Sequence, residues 1–189
     1  SISSGLNGSL NLYFLVTPLS SFIGLAANIF YVFIYTLILK PRTNQNIVIG
    51  GASGAAPVLI GWTATGSELE TGPWVLFLLV FMWTPAHFWA LSIENKADYK
   101  NAEFPMLPIQ ESYKRTCIFI GIYSCSTVLI SLVAAPILQL GIIYLFVSIF
   151  FGVNLMYKAF NLYRKKIKPI NYFIFSNTYL ADIFLSLIH

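Results

Sequence analysis

The sequence predicts an all-α protein, a polytopic bundle of transmembrane helices. Three observations carry this. The 189 residues are 57% hydrophobic and 10% charged, with a mean hydropathy of +0.74. Soluble domains run near 25% charged, so a soluble globular domain is excluded. Apolar runs long enough to cross a bilayer, roughly 20 residues each, follow one another along the chain. The basic residues fall in alternate loops between those runs, as alternating membrane crossings require.

Six spans and the start of a seventh are expected. They are 1–16, 19–39, 46–63, 73–93, 116–135, 140–163, and a run from Ile170 to the end. The first is short, and Thr17-Pro18 separates it from the second. The third, "NIVIGGASGAAPVLIGWT", is rich in small residues and holds Pro57. Small residues let helices approach closely in lipid. It is not a phosphate loop, because it lacks the Lys-Ser/Thr ending.

Lys and Arg follow the second, fourth and sixth spans: Lys40 and Arg42, then Lys96, Lys100, Lys114 and Arg115, then Arg164 to Lys168 after Lys158. The loops "TP", "ATGSELETG" and "PILQ" contain none. The net charge of +4 is thus read as basic loops on the inner side, not as a nucleic-acid surface. Trp and Tyr favour membrane interfaces, and the 16% aromatic content agrees. Cys117 and Cys125 lie eight residues apart in one span. That is about 12 Å of helical rise, too far for a disulfide, and both read as packing residues.

The fourth span and its tail, "WTPAHFWALSIENKADYKNAEFPMLP", carry the candidate chemistry. On one continuous helix, with His87 at zero, Trp83 falls at about −40°, Glu94 at about −20° and Asp98 at about +20°. The four form one stripe. Ionisable groups in spans usually face the bundle interior or a wet cavity. His87 by itself reads more readily as a hydrogen-bonded packing residue. Glu94 and Asp98 repel at i,i+4 spacing and meet the unfavourable end of the helix dipole. Compensation comes from Lys40, Arg42, Lys96 and Lys100, or from a divalent cation. Mg²⁺ takes one or two carboxylates plus phosphate oxygens. Asp182, inside the last apolar run, has no assigned partner.

Four segments, "YTLILKPRTNQNIVIGGASGAAP", "GWTATG", "WTPAHFWALS" and "DYKNAEFPMLP", resemble the protohaem IX farnesyltransferases (haem O synthases). These belong to the UbiA-type intramembrane prenyltransferases. The resemblance covers 35–108 in order. It implies a nine-helix bundle of which residues 1–189 form a single incomplete domain, with the first two helices and the first acidic motif missing. The stripe is then half a site, facing a helix outside this chain.

The activity implied is transfer of the farnesyl group of farnesyl diphosphate to a vinyl group of haem B, with addition of water. Mg²⁺ is the implied cofactor. Glu94 and Asp98 are expected on the metal, and Lys40, Arg42 and Lys96 on the diphosphate. Trp83, His87, Phe88, Trp89 and Tyr99 are expected on haem and prenyl chain, with His87 and Asp98 catalytic. The bilayer, and haem A synthase downstream, are the further implied partners. A bacterial inner membrane is implied, or a mitochondrial inner membrane, with the site on the cytoplasmic or matrix side. Two departures stand out: Pro85-Ala86 where the family has Pro-Pro, and Ala102-Glu103 where it has Ala-Gly. Three rival readings are a UbiA-type enzyme with an aromatic acceptor, an inactive fragment, and a transporter or non-catalytic membrane subunit.

Overall fold

The computed structural model describes residues 17–39, 43, 45–101 and 105–188. The expected first span, Lys40, Arg42, Glu103 and His189 lie outside the described residues. Among the described residues every regular element is helical: α1 (Pro18–Ile29) running into a π-helix (Phe30–Leu39), α2 (Asn46–Ala64), α3 (Thr71–Glu94), α4 (Lys96–Asn101), α5 (Leu107–Gln110), α6 (Tyr113–Ile137), α7 (Ile142–Tyr163) and α8 (Pro169–Leu185), closed by a 3₁₀ turn. Among the described residues five helices are long and apolar enough to cross a membrane: Pro18–Leu39, α2, α3, α6 and α7. These correspond to the second to sixth expected spans. The seventh forms α8, whose 17 residues rise about 25 Å, slightly less than a typical hydrocarbon core.

Local sequence sets the ends. Pro18 occupies the first turn of α1, and the Thr17 hydroxyl accepts the Ser20 N–H at 3.2 Å. The same hydroxyl donates to the Thr63 carbonyl at 3.0 Å, tying the start of α1 to the end of α2. The second span is not one regular α-helix. From Phe30 the run "FYVFIYTLIL" widens into π turns. β-Branched and aromatic side chains crowd the preceding turn, and the Thr36 hydroxyl donates to the Tyr31 carbonyl five residues back, at 2.8 Å. α3 continues through Pro85, where the backbone has one N–H fewer.

Four helices close a ring: α3 packs on α6, α6 on α7, α7 on α8, and α8 returns to α3. α2 packs on the outside of α3, and α1 on α2. The ring encloses the core, with Trp89, Ile120, Leu155, Leu162, Tyr172 and Tyr179 at most 1% exposed. Tyr172 and Tyr179 reach across it from α8. Their hydroxyls lie 2.7 Å from Ser124 Oγ and 2.9 Å from Ser131 Oγ of α6. Both pairs are seven residues apart in their own helices, so α6 and α8 run parallel and in register. Tyr144 of α7 donates to the Ser131 carbonyl at 2.9 Å, adding the third wall. Cys117 is buried as expected, whereas Cys125 is exposed on the outer face of α6. Buried apolar contact does not explain Cys125.

Candidate functional site

The helix that was to carry the whole stripe ends at Glu94. Asn95 leaves helical geometry at φ −99°, ψ 31°, and α4 starts afresh at Lys96. Asp98 is therefore out of register with Trp83, His87 and Glu94, a correction to the single-helix reading. Asn is among the poorer helix formers, because its side chain can compete for backbone groups, and the break falls at Asn95. Asp98 and Lys96 are exposed on α4, and Glu94 is exposed at the end of α3. No ion pair among the described residues involves any of the three.

The remaining stripe is real, but it faces α8. Trp83 Nε1–H donates to the Ser176 carbonyl at 2.8 Å. His87 Nδ1 lies 2.7 Å from Ser176 Oγ. The His87 ring is stacked between Trp83 and Phe173, with centroids 4.2 Å away on each side. Lower down, a Glu94 carboxylate oxygen accepts the Ile170 N–H at 3.2 Å. That N–H lies in the first turn of α8, where a helix lacks internal acceptors and favours negative charge. Within this chain, α8 covers that face. His87 is 5% exposed.

A cavity of about 980 Å³ lies on the other side of α3, between it, α2, α1 and the π-helix, with Gly24, Ala27 and Asn28 contributed by α1. Its walls are Tyr31 and Tyr35, the small residues Gly50, Ser53 and Gly54, and Thr84 with Phe88. Tyr31 and Tyr35 are stacked at 5.3 Å. A side chain at Gly50 would overlap the Tyr35 ring, so glycine there lets the tyrosine stand against α2. Of the five residues expected on haem and prenyl chain, Phe88 lines this cavity. It also meets the His87 ring edge-on at 5.2 Å. Tyr99 of α4 is half-buried. Trp89 is 1% exposed and packs on Phe119 and Tyr123 of α6. Trp89 thus packs in the core, and Trp83 docks α8.

Sequence reasoning missed Tyr31, Tyr35, Ser53 and Thr84. The signal was present in the i,i+4 tyrosines of "YVFIY" opposite the small residues of "GGASG". Small residues were read there as close packing alone. Gly51 does pack, against Thr84 and Phe81, but an added Cβ at Gly54 would meet open space.

Among the described residues no three His, Cys, Asp or Glu side chains cluster as a metal site. Glu94 and Asp98 offer hard oxygen donors at one end of the bundle, a partial set that fits Mg²⁺ only where phosphate oxygens complete it. Asp182 is half-buried on α8, and no cation pairs with it among the described residues.

Comparison with known proteins agrees with the helical architecture. A protein of Cutibacterium acnes described as protoheme IX farnesyltransferase is 43% identical over 177 residues, 89% of this chain and 52% of its own length. One of Nitrosococcus oceani, with the same description, is 40% identical over 189 residues, 99% of this chain and 63% of its own. A Thermus thermophilus protein so described is 42% identical over 171 residues, 89% of this chain and 28% of its own. The chain thus spans between about half and under two thirds of the first two relatives, and less of the third. No solved structure matches it. The UbiA prenyltransferase family profile matches residues 2–182, nearly the whole chain, and the chain belongs to that family.

Proposed function

We propose that the protein containing this chain transfers the farnesyl group of farnesyl diphosphate to a vinyl group of haem B, giving haem O. The observation that carries this is identity of 40–43%, over most of the chain, to proteins described as protoheme IX farnesyltransferases. In the reaction the allylic C–O bond to diphosphate breaks, and the farnesyl carbon bonds to the terminal vinyl carbon. Water adds to the neighbouring carbon, which becomes the hydroxyethyl carbon of haem O. A proton of that water is lost, and diphosphate leaves with its electron pair.

Mg²⁺, when bound, neutralises charge developing on the leaving diphosphate. Asp98 and the free oxygen of Glu94 would hold it. Lys96 would add positive charge on the same side, with Lys40 and Arg42 from the adjoining sequence. Phe88, Tyr31 and Tyr35 offer aromatic faces, each worth about 0.5–2 kcal/mol to a nearby cation. The cavity, in the bilayer, keeps water from the allylic cation until the carbon–carbon bond forms. His87 faces α8 and touches the cavity only through its edge-on contact with Phe88, so to accept the proton from the adding water it would need that water to reach it past Phe88.

The basic end of the bundle would face the cytoplasm, or the matrix in a mitochondrion. The test is direct. Membranes holding the full-length protein are supplied with farnesyl diphosphate and either haem B or a 4-hydroxybenzoate-type acceptor. Haem O from the first and no prenylated product from the second is expected. Prenylation of the aromatic acid alone would overturn the proposal.

A further inference from the structure

Ser176 meets both polar groups of the α3 stripe. It is completely buried. Its carbonyl accepts from Trp83 and its hydroxyl touches His87, so one residue of α8 fixes two consecutive turns of α3. The hydroxyl has a second partner: Ser176 Oγ lies 2.8 Å from the Phe173 carbonyl oxygen. A serine hydroxyl has one proton and two lone pairs, whereas a carbonyl can only accept. The hydroxyl proton must therefore point to Phe173, or two oxygens would face each other at that distance with nothing between them. Oγ is left as an acceptor toward His87. At 2.7 Å the hydrogen bond then requires the proton on Nδ1. A neutral imidazole has one N–H, so Nε2 carries the free lone pair. The ring is held in this orientation by Trp83 and Phe173 on its two faces and by Phe88 at its edge.

We propose that Ser176 is a positioning residue that holds His87 as the Nδ1–H tautomer, leaving Nε2 as the ring's proton acceptor. The sequence distance of 89 residues hides this pairing. Its catalytic meaning rests on the haem-prenylation reading above, in which His87 takes a proton from water. The tautomer itself does not rest on that reading. At metal sites, partners that fix the tautomer of a ligating histidine are typically worth about ten- to a hundredfold in activity, and an effect of that order is expected here.

The test uses the full-length protein in lipid nanodiscs, labelled with ¹⁵N-histidine, the His87 signals being assigned by their loss in His87→Asn. Nδ1 is expected to resonate as a protonated nitrogen and Nε2 as an unprotonated one. In Ser176→Ala the ring should shift toward the Nε2–H form and haem O formation should fall about ten- to a hundredfold. Ser176→Thr, which keeps the hydroxyl, should restore both. An Nε2–H ring in the unaltered protein overturns the proposal. So does Ser176→Ala that loses activity with its tautomer unchanged, since loss of packing alone would do that. The unaltered protein's spectrum decides even if Ser176→Ala does not fold. Absence of haem O formation by the unaltered protein, with an Nδ1–H ring, would instead sink the functional reading and leave Ser176 in its role.

Discussion

At Glu94 one carboxylate oxygen accepts the Ile170 N–H at 3.2 Å, while Asp98, four residues on, stands on a different helix with an exposed side chain. Identical chemistry in the sequence thus splits into two situations, and substitutions separate them. Glu94→Gln keeps an oxygen that can accept the Ile170 N–H but removes the charge. Glu94→Ala removes both. If Glu94 holds Mg²⁺, both variants should slow prenyl transfer in the full-length enzyme. If it only caps α8, Glu94→Gln should turn over normally, and Glu94→Ala should cost about 1 kcal/mol of stability, as loss of a cap does. Among the described residues the Asp98 side chain has no hydrogen-bond or ion-pair partner to lose. Asp98→Asn is expected to leave thermal stability unchanged and to cut haem O formation about a hundredfold or more, the rate equivalent of a few kcal/mol of lost charge stabilisation. Normal turnover by Asp98→Asn would remove it from the site. The 100° rule placed Trp83, His87 and Glu94 on one face correctly, because α3 is continuous there. It failed at Asp98 because one residue, Asn95, ends the helix, and periodicity contains no term for such a break.

Helix pairs in this fold are joined at small residues, and Gly152 shows how little room they leave. A Cβ added there would stand 2.8 Å from Val128 Cγ1 of α6. Valine is stiff at χ1 and cannot swing aside cheaply. Gly152→Ala should therefore destabilise the α6–α7 pair by about 1–3 kcal/mol, the usual cost of overpacking. Adding Val128→Ala should recover most of it, since contacting residues couple. Thermal unfolding in detergent checks this, and additive losses in the double variant would refute the contact. The spans were readable at this scale because hydropathy and length fix each helix separately. The ends of α2 and α3 lie within two residues of expectation. What the sequence did not disclose was which faces meet. Close packing was read for "GGASGAAP", and in the structure the segment also lines a cavity, with Gly51 both packing on Thr84 and Phe81 and lining it and Gly54 facing open space. The π turns at Phe30–Leu39 escaped too, because hydropathy is blind to the hydrogen-bond step of a helix.

Across the whole molecule the charges sort to one end. Lys96, Lys100, Lys114, Arg115, Arg164, Lys165, Lys166 and Lys168 lie in or beside the connections α3–α6 and α7–α8, while Glu68 and Glu70 lie in the α2–α3 loop at the opposite end. Contacts tie each end together. Tyr113, which opens α6, donates to the Leu162 carbonyl near the end of α7 at 2.7 Å, and Lys165 stands over the Tyr113 ring at 5.2 Å. At the far end a Cβ on Gly72 would press against Leu138, so the start of α3 and the end of α6 are neighbours. The alternation read from loop charges is thus also the arrangement of the folded helices, which follows because each long helix reverses the chain once. Glu94 and Asp98 belong to the basic end, where an anionic diphosphate would be drawn. The orientation proposed above rests on the same charges, with the basic loops inside. Single cysteines at Ser67 and Lys166 of the full-length protein should report it in intact cells, read against the protein without either. A membrane-impermeant maleimide should label Ser67→Cys directly and Lys166→Cys only after permeabilisation. The reverse pattern would put the carboxylates on the outer side, away from cytoplasmic farnesyl diphosphate, and the proposed reaction would lose its donor along with its orientation.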